Sequence, residues 1–193
     1  AGYRMAEGAL PINDQRPFEI LAREGMRFDS SVRPFGPGFI GKRAQRDIHE
    51  ISGTDWSLTE VPLSSDTFAG VPIPVTGGNY MRQMPRALYD GRLDRYMARR
   101  DQPWHLYFHV WELDPEQPRV SATTRLGHIR QYRNLESMRE RIEDSLDRFA
   151  FRSISEHLGI APQPAIVREK DAAPVEIHAP QPVGPRQKVT IVT

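Results

Sequence analysis

The sequence predicts an α/β fold, either a layered sheet or a barrel. Segments with helical periodicity alternate with short segments typical of strands. The most apolar and aromatic segment, residues 104–111, has the length of a buried strand and follows a proline. Because α/β proteins collect their functional residues where strands end, we expect the functional residues at those positions.

The first part of the chain predicts a strand, a helix and a second strand. Residues 1–4 are typical of a strand and its exit. Residues 17–24 predict a short helix, because Pro17 suits a first turn and Gly25 a C-cap. Residues 26–29 predict a strand that ends at Asp29. Glycine, proline and arginine dominate residues 32–56, which predicts a surface loop.

The middle of the chain predicts edge strands, a helix and a central strand. Residues 58–63 and 71–75 look extended, and their prolines keep them at edges or outside a sheet. Residues 76–80 predict a loop, and residues 85–100 an amphipathic helix packed on a sheet. We interpret residues 104–111 as the central strand.

The last part of the chain predicts one strong helix and a tail. Residues 134–149 place five large apolar side chains on one stripe, and residues 152–158 suit a final helical turn. Six prolines beyond Gly159 predict a disordered tail. We therefore divide the chain into a domain over 1–159 and a tail over 160–193. Because the first residue is Ala1, we expect a fragment of a longer protein.

Composition excludes several classes of function. The formal charge of +1 gives no overall field that would attract nucleic acid. No apolar stretch approaches the roughly 18 residues of a membrane-spanning helix. The chain has no cysteine, so thiolate metal sites and cysteine nucleophiles are excluded, whereas the compartment stays open.

His109 is the first candidate for chemistry, because it ends the apolar run. A titratable imidazole there suits acid–base catalysis. The alternative is a core histidine that is hydrogen-bonded to backbone. His105 lies four residues earlier and suggests a metal pair with His109, but the chain offers no obvious third ligand, which favours simple packing.

Arg4 follows one predicted strand and Asp29 ends another, which makes a charged set with His109 plausible at one rim of a sheet. An arginine can hold a carboxylate, and an aspartate can fix the tautomer of a histidine. Each of the two residues also suits an ordinary surface ion pair. Residues 36–38 and 76–79 lack the context of a phosphate-binding loop. Residues 125–133 suit either an anionic polymer or, more simply, a solvated loop.

Seven segments, in order, resemble the NodB-like polysaccharide deacetylases encoded with exosortase-linked exopolysaccharide loci. The resemblance spans residues 1–158, and its most specific segment is His-Val-Trp-Glu-Leu-Asp-Pro-Glu-Gln-Pro-Arg at 109–119. The other matched segments are Gly-Tyr-Arg (2–4), Leu-Ala-Arg-Glu-Gly-Met-Arg-Phe-Asp-Ser-Ser (21–31), Glu-Val-Pro-Leu-Ser (60–64), Gly-Gly-Asn-Tyr-Met-Arg (77–82), Asn-Leu (134–135) and Asp-Arg-Phe (147–149).

The resemblance implies the C-terminal part of a distorted (β/α) barrel. It also implies a divalent metal, usually zinc, held by two histidines and an aspartate from a first half that this sequence does not contain. In such enzymes a metal-bound water attacks the acetamide, and a late histidine protonates the leaving amine. His109 matches that histidine and Arg4 the arginine that holds an upstream aspartate. Asp29 lies near the position of the aspartate that orients the histidine.

The sequence departs from the family pattern beside two of these positions. The family often has Arg-Ala-Pro where this chain has Arg4-Met5-Ala6, and His-Pro-Trp where it has His109-Val110-Trp111. A lost proline frees a backbone angle, so weak activity or a non-catalytic role stays open.

The first hypothesis is therefore a metal-dependent deacetylase that acts on an N-acetylated bacterial polysaccharide, in the cell envelope, the periplasm or the cytoplasm. Trp111, Tyr80 and Arg82 are its candidates for sugar contacts. As a fragment without the metal-binding half, the chain is expected to be inactive alone. The alternative is a non-catalytic carbohydrate-binding or scaffolding relative, and a third reading is an unrelated α/β domain.

Overall fold

The computed structural model describes residues 1–5, 10, 13–120, 124–161 and 190–192. The first four strands along the chain form one sheet. Its strands are β1 (Gly2–Tyr3), β2 (Phe28–Asp29), β3 (His49–Ser52) and β4 (Ser57–Glu60), in the order β1-β2-β4-β3. β1, β2 and β4 run parallel, and β3 is antiparallel to β4. The predicted strands over 1–4 and 26–29 are confirmed. β3 lies inside the predicted loop over 32–56, which was wrong in that part.

A hairpin follows the sheet. β5 (Ser65–Phe68) and β6 (Val71–Pro74) pair with each other as a separate two-stranded sheet. Ala69 and Gly70 connect them with φ angles of 47° and 82°, a left-handed pair that matches the twist of a tight hairpin. The prediction that prolines keep residues 71–75 at an edge or outside a sheet is confirmed, because β6 pairs only with β5 in the described part of the chain. The same prediction was wrong for residues 58–63, because β4 lies between β2 and β3 and Pro62 falls beyond its end.

β7 (Trp104–Leu106) is shorter than predicted and is not central. It pairs in parallel with β8 (Thr190–Val192) and lies outside the four-stranded sheet. The strand cannot run on to residue 111, because the chain turns into a 3-10 helix at Val110–Leu113. The Glu112 side chain accepts a hydrogen bond from the His109 backbone N–H and so caps that helix.

Six helices surround these strands in the described part of the chain. They are α1 (Arg16–Arg23), α2 (Gly78–Gln83), α3 (Arg86–Arg99), α4 (Arg125–Tyr132), α5 (Met138–Arg148) and α6 (Ile154–His157). Helices predicted over 17–24, 85–100, 134–149 and 152–158 are confirmed in type. α5 begins four residues late because Asn134 has a φ of 56°. α2 and α4 replace the loops predicted over 76–80 and 125–133, both of which were wrong.

The largest core cluster packs α3 and α5 against β7. Trp104 is fully buried there, together with Leu106, Tyr89 and Met138. The Trp104 indole N–H and the Tyr89 hydroxyl both donate to the carbonyl oxygen of Val75, at 2.8 and 3.0 Å. Burying each such side chain contributes about 1.5–3 kcal/mol. This core fixes the position of the segment that follows β7.

The described residues form a mixed α/β structure with a parallel sheet, and they do not show a closed barrel. Most of the predicted tail, residues 162–189 and 193, lies outside the described residues, as does Ala6. Over the ranges that are described, no helix is long and apolar enough to cross a membrane.

Candidate functional site

A cleft of about 600 Å³ opens where several strands end. Because β1, β2 and β4 are parallel, the residues that follow them meet at one edge of the sheet. The start of α2 and the segment after β7 complete the walls. The lining residues are Arg4, Arg33, Phe35, Leu63, Thr76, Gly77, Gly78, Asn79, Tyr80, Tyr107, His109, Glu112 and Arg130.

A continuous series of stacked groups crosses the cleft. The Arg4 guanidinium lies 4.0 Å from the centroid of the Tyr107 ring. Tyr107 meets the His109 ring edge-on, with 4.9 Å between centroids, and the Tyr107 hydroxyl is hydrogen-bonded to His109 Nε2 at 2.5 Å. Trp111 stacks on the other side of His109 at 5.7 Å, with 17° between the planes. The structure thus brings Arg4, His109 and Trp111 into one array.

The His109 side chain is exposed, whereas its backbone is fixed by a buried side chain. Its N–H donates to Glu112 Oε2 at 2.9 Å. Glu112 is 1% exposed and pairs with Arg82, which is 0% exposed, at 2.9 Å between Nη2 and Oε1. The core-histidine alternative is therefore wrong for His109, whose imidazole faces the cleft.

Arg82 fixes two segments at once. Its Nε donates to Glu112 Oε1 at 3.0 Å, and its terminal nitrogens donate to the backbone carbonyls of Arg130, Gln131 and Arg133 at 3.1, 3.4 and 2.8 Å. These carbonyls end α4, where the helix leaves its acceptors unsatisfied. Arg82 therefore lies beneath the cleft, where a direct contact with a sugar is not available to it. Of the other predicted sugar contacts, Tyr80 lines the cleft and Trp111 reaches it only through His109.

Asp29 occupies a different position from the one expected. It is fully buried at the end of β2, where its carboxylate accepts hydrogen bonds from the Ser31 N–H at 3.0 Å and the Ser31 hydroxyl at 2.7 Å. The structure places it with Ser31 and not with His109. Arg4 donates to the carbonyl oxygen of Ser30 at 2.9 Å. Burial lowers the pKa of Arg4, and the charge of Asp29 opposes that shift.

Glu60 is a buried acid that the sequence analysis did not identify. It ends β4 directly beside Asp29 in the sheet register and is 0% exposed. Burial raises the pKa of Glu60 well above its ordinary value, and the neighbouring Asp29 carboxylate raises it further. The available signal was a single acid within the predicted extended segment, residues 58–63.

His105 does not form a metal pair with His109. It is 1% exposed within β7, and burial, followed by the charge of Arg4, lowers its pKa to about 3. The described residues contain no group of three or more histidine, cysteine, aspartate or glutamate side chains arranged to hold a metal ion.

Comparisons with known proteins identify one family. The model of the domain of unknown function DUF3473 matches residues 30–159. No curated protein and no solved structure matches the chain. DUF3473 is found at the C-terminal end of polysaccharide deacetylases of the exosortase-associated type, so the family is associated with those enzymes. The match covers more than half of the sequence and contains Tyr80, His109 and Trp111, and the chain therefore belongs to the DUF3473 family.

Proposed function

We propose that this chain forms the C-terminal part of a polysaccharide deacetylase and supplies the general acid for removing N-acetyl groups from a bacterial polysaccharide. The observation that carries the proposal is the placement of His109. Its imidazole is exposed in a cleft at the carboxyl ends of parallel strands, and its backbone is fixed by the buried Arg82–Glu112 pair. The association of DUF3473 with deacetylases supports the same reaction class.

In this proposal His109 donates a proton to the amide nitrogen of the acetamido sugar as the C–N bond breaks, which releases an amine and acetate. Tyr107 holds the imidazole through its hydrogen bond to Nε2, and Trp111 limits rotation of the ring by stacking. Tyr80 offers an aromatic wall to a sugar face.

The resemblance places a divalent metal, usually zinc, on residues upstream of this sequence. That metal would activate the attacking water, and no step assigned here to this chain passes through it. Asp29 and Arg4 are proposed to support the upstream residues across the sheet edge rather than to touch His109, since both follow parallel strands at that edge.

The test is acetate release from an N-acetylglucosamine hexamer, with added zinc, by a protein that joins this chain to its upstream coding sequence. We expect release that His109→Ala abolishes and that His157→Gln, a histidine of α6 outside the cleft, leaves unchanged. Sugar binding without acetate release by a folded, zinc-loaded protein would favour the alternative, a carbohydrate-binding relative.

A further inference from the structure

The charge of the cleft carries information about the polymer that enters it. Glu112 is the only acid among the described residues that line the cleft, and Arg82 neutralises it. Asp29 and Glu60 are fully buried behind Arg4. Arg33 and Arg130 are exposed at the cleft, and in the described part of the chain neither guanidinium forms an ion pair or a side-chain hydrogen bond. The cleft thus presents two unneutralised cations.

The structure fixes the backbone that carries one of these cations. Arg130 belongs to α4, whose carbonyl end is fixed by Arg82 and by Gln83, which donates to the carbonyl oxygens of Ile129 and Arg130 at 3.3 and 3.2 Å. An immobilised helix that projects a guanidinium into a cleft loses less entropy on binding a carboxylate than a mobile loop would. Arg130 is therefore better suited to an anion than an ordinary surface arginine.

The positive charge continues across α4. A second, open hollow of about 380 Å³ is lined by Arg119, His128, Ile129, Tyr132 and Arg133. The Arg119 guanidinium lies 5.2 Å from the centroid of the Tyr132 ring, and the His128 ring lies 4.6 Å from it. The sequence from 117 to 135 contains four arginines and no acidic residue. Cations beside aromatic rings suit a sugar that carries a carboxylate.

We propose that the polymer recognised by this chain is an acidic polysaccharide, with carboxylates held by Arg33 and Arg130 in the cleft and by Arg119 and Arg133 beyond α4. This inference rests on the proposed function, because it names the substrate class of the same cleft. A nucleic acid would also present anions, but the formal charge of the whole chain is only +1.

The test compares two hexasaccharides that share N-acetylglucosamine and differ in carboxylates, from hyaluronan and from chitin. Binding to the full 193-residue chain is measured by calorimetry at low and at physiological salt. We expect the hyaluronan hexasaccharide to bind at least about tenfold more tightly than the chitin hexasaccharide, with a preference that shrinks as salt rises. Arg33→Glu and Arg130→Glu should each remove most of the preference, and Arg33→Gln part of it.

Arg139→Glu is the matched control, because Arg139 is an exposed arginine of α5 outside both cavities. It should leave the preference unchanged. Equal affinity for the two hexasaccharides, no binding of either, or equally tight binding of a duplex DNA oligomer would overturn the inference. Acetate release from the chitin hexamer by the joined, zinc-loaded protein, without any preference of this chain for acidic sugars, would overturn this inference alone. Binding of the acidic hexasaccharide by this chain, without acetate release by the joined, zinc-loaded protein, would overturn the proposed function alone.

Discussion

Arg82 and Glu112 form an ion pair with 2.9 Å between Nη2 and Oε1 and with 0% and 1% of their side chains exposed. The pair joins α2 to the 3-10 helix that carries Trp111, and through the Glu112 carboxylate it fixes the backbone of His109. Two charges without solvent stabilise each other only while both are present. The position of His109 therefore depends on a buried ion pair.

Removing either partner of this pair should destabilise the fold strongly. Glu112→Gln and Arg82→Met should each lower the free energy of unfolding by about 3–5 kcal/mol, because each leaves an uncompensated buried group. The double variant should lose much less than the sum of the two. Urea unfolding of the four proteins measures the coupling. Asp55→Asn, which breaks an exposed ion pair with Arg23, is the control and should change little. Additive losses would contradict the role of the pair.

Gly78 should tolerate no side chain. A Cβ at this position would lie 2.0 Å from Glu112 Oε2, and the carboxylate cannot retreat because Arg82 holds it. Gly78→Ala should therefore cost about 1–3 kcal/mol of folding stability. Gly91→Ala is the matched control within α3, where nothing lies within 4 Å of a Cβ, and it should gain about 0.5–1 kcal/mol. Thermal melts report both values, and changes of the same sign would refute the steric account.

Glu60 should make stability depend on pH. Its pKa is raised in the folded protein by burial, above the ordinary value of 4.5, so the folded state holds a proton that the unfolded state releases. Its contribution to stability is complete below pH 4.5 and is lost as the pH rises through the raised pKa. Glu60→Gln removes this dependence while keeping the acceptor for the Val32 N–H.

The measurement for Glu60 is the difference in unfolding free energy between Glu60→Gln and the parent from pH 4 to 8. We expect the unfolding free energy of Glu60→Gln to increase relative to that of the parent as the pH rises. Other titrating groups, including the buried His105, are common to both proteins and cancel in the difference. A difference that is independent of pH would show that Glu60 titrates normally.

Tyr107→Phe should change the state of the His109 ring. The variant removes the hydroxyl that is bonded to Nε2 and leaves the ring contact with Arg4 available. The nitrogen-15 chemical shifts of the His109 ring should therefore move, since the hydrogen-bond partner selects the tautomer. Tyr132→Phe, on α4, should leave them in place. Unchanged shifts in both variants would show that Tyr107 does not orient the imidazole.

Local pattern in the sequence was sufficient for the helices with a clear apolar stripe, such as α3 and α5, and for the strand ends that carry Arg4 and Asp29. It failed where tertiary contacts decide the structure. α2 and α4 are short, and long-range contacts that spacing does not reveal satisfy their carbonyl ends. The Arg82 side chain donates to the carbonyls that end α4. Asn134 and Arg141 donate to the carbonyls that end α2. Arg82 and Glu112 lie 30 positions apart, so local spacing does not reveal that they pair. The predicted sugar contact of Arg82 was wrong because the fold buries this side chain, which the local sequence does not show.

The contact between Arg4 and Tyr107 joins the beginning of the chain to the segment after β7. Closing the long loop between Arg4 and Tyr107 costs conformational entropy. Only the contacts of the completed sheet and core offset that cost. The cleft should therefore be among the last features to form during folding, after α3 has packed on Trp104. A chain emerging from the ribosome would therefore carry its helices well before the walls of the cleft had come together.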